Sequence, residues 1–219
     1  MRRREFLTLS AASIGGVLVY SLDRKAFRLS AQQKPVRIPL RFFTEEQALL
    51  VAAAAARIFP SDDAGPGARE AGVVIYIDRQ LAGPYGRDRY RYTQAPFEDG
   101  PPELGYQGSA TPRQIYTQGL RDLAGFDRLT PAEQDAALRK IESSLFFALL
   151  RTHTIEGMFC DPMHGGNADM VGWQMIGFPG PRQSNLRDVD KHFGEAFRPE
   201  PAGVRETMDP DITPSEDLE

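Results

Sequence analysis

His153, Glu156, Asp161, His164 and Asp169 fall within 17 positions, and side chains of these types can bind a metal or move protons. His153 and Glu156 stand three apart, the spacing that puts a histidine and a carboxylate on one helical face in carboxylate-bridged metal sites. Such sites draw further carboxylates and Glu-x-x-His pairs from other helices, and no Glu-x-x-His is present in the chain. Cys160 lies between the two histidines, which suggests a thiol nucleophile with an imidazole base. Ser61, Asp62 and Asp63 supply clustered oxygens but lack the spaced ligands and closing glutamate of a calcium loop, so they read as a helix stop and turn. There is no Gly-x-Ser-x-Gly elbow for a serine hydrolase, and no fingerprint for flavin, nicotinamide, haem, iron–sulfur or molybdenum binding. One reading of these residues is a stand-alone α-helical enzyme using a metal or the Cys160 thiol. Its rival is a chain whose chemistry resides on a partner.

The elements that would position these residues are helices. Thr44, Thr111 and Thr130 each open a Ser/Thr-x-x-Glu/Gln capping box, closed by Gln47, Gln114 and Glu133. Pro112 and Pro131 occupy first helical positions, where a missing N–H costs nothing. The first helix is expected from Thr44 to Phe59, stopped by Pro60. Residues 72–81 mix strand-forming side chains with the helical spacing of Val73, Ile77 and Leu81, and are read as helix. After Thr130, Leu138, Ile141, Leu145 and Leu149 form one stripe, which predicts one long helix that becomes buried all round near its end. Nothing reads as a strong strand. The fold class is mainly α: a small single-domain helical fold with long Gly/Pro-rich loops and an extended C-terminal tail.

Of 219 residues, 26 are Lys or Arg and 30 are Asp or Glu, for a net charge of −4. Residues 1–31 hold six basic and two acidic residues, leaving 20 against 28 in the remainder. An acidic body argues against nucleic acid as a partner. The alternating basic and aromatic run from Arg87 to Tyr92 therefore reads as an interface loop. It belongs to residues 83–113, whose Tyr85, Tyr90, Tyr92 and Tyr106 are suited to packing on another chain. The single cysteine excludes an internal disulfide, and leaves Cys160 as either an intersubunit bridge or a buried thiol. Residues 198–219 carry four prolines and seven acidic residues. They form a separate acidic tail, either disordered or laid over a partner.

Arg3 and Arg4, followed by Phe6, Leu7 and an apolar stretch to Leu22, resemble a twin-arginine export signal. Residues 1–31 are assigned to that signal or to a retained anchor, and residues 40–197 to the helical domain. Such signals export proteins already folded, often with a cofactor inserted. On a chain with no cofactor motif, the signal points to a cofactor on a co-exported partner.

The segment from residue 157 to 182 holds six glycines and three prolines. It reads Phe159, Cys160, Asp161, Pro162, Gly165, Gly166, Asn167 and Asp169, then Trp173, Ile176, Gly177, Phe178, Pro179 and Gly180. This pattern resembles the gluconate 2-dehydrogenase subunit 3 family. Upstream, Ile58 through Asp63, Pro66, Gly67, Ala68, Ala71, Gly72 and Val73 extend the likeness to about residues 40–182. His164 replaces a common aromatic of the family, and Cys160 a common small residue. The resemblance implies an accessory subunit with no catalytic, cofactor or metal residues of its own. It also implies a flavoprotein partner of the glucose–methanol–choline type carrying FAD, and a multihaem cytochrome c as a further subunit. The complex is expected in the periplasm, peripherally attached to the membrane and oxidising a sugar or sugar acid. The loop residues from Phe159 to Gly180 would form the partner framework.

Overall fold

The three threonine boxes start three helices in the computed structural model, which describes residues 17–19, 37–92, 94–98, 100–182, 186–188 and 190–207. Helix α1 (Glu45–Ile58) begins at Thr44, whose Oγ1 accepts from Gln47 N–H while Gln47 Oε1 accepts from Thr44 N–H. Helices α3 (Pro112–Asp122) and α4 (Pro131–Lys140) repeat the arrangement at Thr111 and Thr130. Helix α2 (Val73–Ala82) follows Gly72, which stands at φ +69°. Two three-residue strands, β1 (Val17–Val19) and β2 (Arg37–Pro39), pair antiparallel.

The single long helix expected after Thr130 is two. Helix α4 stops at Lys140, residues 141–143 turn, and α5 (Leu145–Phe159) restarts from Ser144, whose Oγ accepts from Phe147 N–H at 3.1 Å. A hydroxyl able to cap a new first turn outcompeted the apolar stripe. The expected burial all round also fails at Leu145, which is 37% exposed, whereas Phe146 and Leu150 enter the core.

Helix α5 is central and packs on α1, α2, α3 and the short α6 (Val171–Ile176). Alanines 48, 53, 54 and 55 of α1 are buried and let its neighbours approach closely. The residues from Val73 to Ile77 and Leu81 of α2 fill the centre, with Tyr116, Phe126 and Met158 around them. Arg57 joins α1 to α4 by a two-pronged pair with Asp135, at 2.7 and 2.8 Å. Arg113 donates to the carbonyls of Leu81 and Ala82, covering the end of α2.

Asp78 was not legible as a structural hub. It is 1% exposed, and its carboxylate accepts the backbone N–H groups of Arg41, Phe42 and Phe43 at 2.8–3.0 Å. That clasp fixes the chain entering α1 and seats Phe43 in the core.

Candidate functional site

The last turn of α5 delivers Phe159 and Cys160 to the segment singled out in the sequence. Expected as an irregular loop, it contains the 3-10 turns Pro162–His164 and Ala168–Met170 and the helix α6. Asn167 organises it. The side chain is fully buried, donates to Cys160 O at 2.9 Å and accepts from Gly172 N–H at 2.8 Å. Its own N–H donates to Gly157 O at 2.8 Å. Asn167, Asp169 and Met170 all have positive φ, a conformation in which asparagine and aspartate are tolerated best. Gly166 lies so close to Gly157 O that a Cβ would collide with that carbonyl. Gly165 and Gly177 also have positive φ.

Trp173 is 3% exposed and donates from Nε1 to Phe159 O at 2.7 Å. Phe178 meets its ring edge-on at 5.2 Å and remains 42% exposed. Asp161, just before Pro162, accepts from Met163 N–H at 2.9 Å and from Val204 N–H at 2.7 Å. The second bond anchors the short helix α7 (Val204–Thr207), and Ala202 N–H donates to Pro179 O at 3.1 Å. Gly180 packs against Ala202 O, where a Cβ would clash. Residues 202–207 of the tail thus lie on the chain's own loop. The structure brings Phe159, Cys160, Asp161, Pro162, Gly165, Gly166, Asn167, Asp169, Trp173, Gly177, Phe178, Pro179 and Gly180 into one continuous segment. Arg3, Arg4, Phe6 and Leu7 lie outside the described residues.

The titratable side chains do not converge. His153 is 2% exposed, with Tyr85 Oη and Tyr116 Oη each 2.8 Å from its two ring nitrogens. The neutral imidazole has one donor and one acceptor, so one tyrosine donates to it and the other accepts. Tyr76 donates to Glu156 at 2.9 Å. His164 and Asp169 face solvent. Among the described residues there is no group of three or more histidines, cysteines, aspartates or glutamates able to hold one ion. Burial pushes the Cys160 thiol up to about 11, and its Sγ points to Gly157 O at 3.7 Å, so the thiolate required of a nucleophile is disfavoured at neutral pH. The tyrosines around His153 carry no sequence signature; Tyr85 was legible only as a packing residue.

Burial lowers the His153 pKa to about 4, against about 6.5 in an unfolded chain. The unfolded state therefore binds the extra proton between those values. The stability held above pH 6.5 drains as pH falls towards 4, by about 2–3 kcal/mol at pH 4.5. Urea denaturation at pH 7 and pH 4.5 should show that loss, and His153→Gln should flatten this component. Equal pH dependence in both proteins would refute the assignment.

A family model described as gluconate 2-dehydrogenase subunit 3 matches residues 45–180. The chain belongs to that family. No curated protein and no solved structure matches it. The family match runs from the first residue of α1 to Gly180, the glycine that receives the returning tail. It includes the clasp residue Asp78, the tyrosines paired with His153 and the whole framework built on Asn167 and Trp173.

Proposed function

We propose that this chain is the non-catalytic small subunit of an exported FAD-dependent dehydrogenase of the glucose–methanol–choline type that oxidises a sugar or sugar acid. It assists the folding and assembly of the flavoprotein and lends it a twin-arginine export signal through Arg3 and Arg4. FAD resides on the flavoprotein, and a multihaem cytochrome c takes the electrons. The complex works in the periplasm and is held at the membrane peripherally. Among the described residues no helix is long and apolar enough to cross a membrane.

One observation carries this reading. The family segment uses its polar groups to hold itself, through Asn167, Asp161 and the Trp173 indole, and turns Met163, Ile176 and Phe178 outward at 45%, 59% and 42% exposure. A rigid loop presenting apolar side chains suits docking to another protein. Tyr90 and Tyr92, 83% and 84% exposed, offer aromatic anchors in the 83–113 segment. The family match over residues 45–180 supports the subunit role.

The purified chain is expected to be colourless and inactive, and co-expression with a flavoprotein subunit from the same genome to yield a yellow, active complex. Changing Arg3 and Arg4 together to lysine should strand both chains in the cytoplasm. Dehydrogenase activity in the isolated chain, or normal periplasmic activity in the double-lysine variant, would count against the proposal.

A further inference from the structure

The strap formed by residues 199–207 is seated in a groove built entirely from the family segment. Asp161 Oδ2 accepts from Val204 N–H at 2.7 Å, and Pro179 O accepts from Ala202 N–H at 3.1 Å. The floor is Gly180, at φ +84°, where a Cβ would meet both the Ala202 carbonyl and the Trp173 ring. Between the two donors Gly203 is buried, and a Cβ there would stand 3.3 Å from the Asp161 carboxylate. The groove therefore recognises backbone: two N–H groups, two residues apart, on either side of a residue with no side chain. Main-chain hydrogen bonds to every second residue are the way an extended peptide is held. Pro199 and Pro201 bias the strap toward that conformation. The strap adds little else to its own seating. Helix α7 buries no side chain, and Arg205 and Glu206 are exposed. A segment held by a few backbone bonds, with no apolar anchor, opens readily.

We propose that this groove is a docking site for an extended segment of the flavoprotein subunit, and that the strap is its resident competitor. The inference rests on the subunit role proposed above. The groove is continuous with the outward apolar face, because exposed Phe178 directly precedes Pro179 and exposed Met163 follows Asp161 by two residues. A partner covering those two side chains reaches the acceptors at Asp161 and Pro179. The family match ends at Gly180, so it contains both acceptors and the floor and leaves out the strap. The partner segment that fits is extended, carries a glycine at the middle position and keeps the N–H groups on both sides of it. Proline at either of those flanking positions is excluded. While the strap is seated, a partner meets only the open fraction of the chain. A strap closed roughly nine-tenths of the time lowers the apparent affinity about tenfold.

The test uses the full chain, a variant carrying both Ala202→Pro and Val204→Pro, and a fluorescent peptide of residues 199–207. The variant lacks the two N–H donors but keeps the length and charge of the strap. The peptide should bind it about tenfold or more tighter than it binds the unaltered chain, the scale of two hydrogen bonds no longer competed for. A control peptide with the same two prolines should bind neither chain. The flavoprotein should displace the peptide from the variant, and should itself bind the variant about tenfold or more tighter than the unaltered chain. Gly203→Val, whose side chain would press on the Asp161 carboxylate, lifts the strap by another route and should behave alike. Circular dichroism melting should remain cooperative in both variants; its loss in both would make the strap part of the fold and overturn the proposal. Equal peptide affinity in the unaltered and variant chains, including none in either, would also overturn it. So would a flavoprotein that binds and leaves the peptide in place. A flavoprotein that binds neither chain would instead remove the subunit role itself, and the docking site with it.

Discussion

Trp173→Ala should destabilise the isolated chain by about 3–5 kcal/mol, the range for truncating a fully buried large aromatic ring. The indole is 3% exposed within the chain itself, and its N–H satisfies Phe159 O at the end of α5. Truncation opens a cavity between α5, α6 and Phe178 and leaves that carbonyl short of its partner. The midpoint of urea denaturation, followed by circular dichroism because Trp173 is the only tryptophan, is the direct readout. Trp173→Phe keeps most of the ring but loses the hydrogen bond, and should cost less. An unchanged midpoint for Trp173→Ala, accompanied by failure to form a complex, would instead make the ring an interface anchor.

Asp78→Ala should have an effect of similar size for a different reason. Three backbone donors, at Arg41, Phe42 and Phe43, lose one carboxylate at once. Each buried donor left unsatisfied costs about 1–3 kcal/mol, moderated where water can reach it. The segment before α1 should come loose, with Phe43 leaving the core. Trypsin should then cut after Arg41 far faster than in the unaltered chain. Asp78→Asn keeps one acceptor oxygen and should fall between the two. Equal protection at Arg41 in all three proteins would dismiss the clasp.

The helix starts were legible because capping is local. Thr44, Thr111 and Thr130 announce themselves within three residues, and the structure places a cap at each. The break at residues 141–144 was masked by the apolar stripe, although Ser144 uses the same chemistry with no glutamate or glutamine three residues later. The glycines and prolines of the 157–182 segment identified it as a defined loop, but not the helix α6 inside it. That helix follows three non-glycine residues in the left-handed region, Asn167, Asp169 and Met170, a path that propensity does not anticipate. Asp78 and the tyrosines flanking His153 were hidden because their partners are 35 to 68 residues distant or are backbone groups, which leave no side-chain pattern.

The self-held segment around Asn167 has a kinetic consequence. A surface whose backbone is already fixed by its own buried asparagine and indole loses little conformational freedom when a partner covers it. Association through such a face resembles rigid docking, with encounter rates set mainly by orientation. Variants of Ile176 and Phe178 should then change how long a complex survives more than how quickly it forms. Variants of Asn167 should slow formation itself, because they convert a ready-made face into one that must be ordered during each encounter.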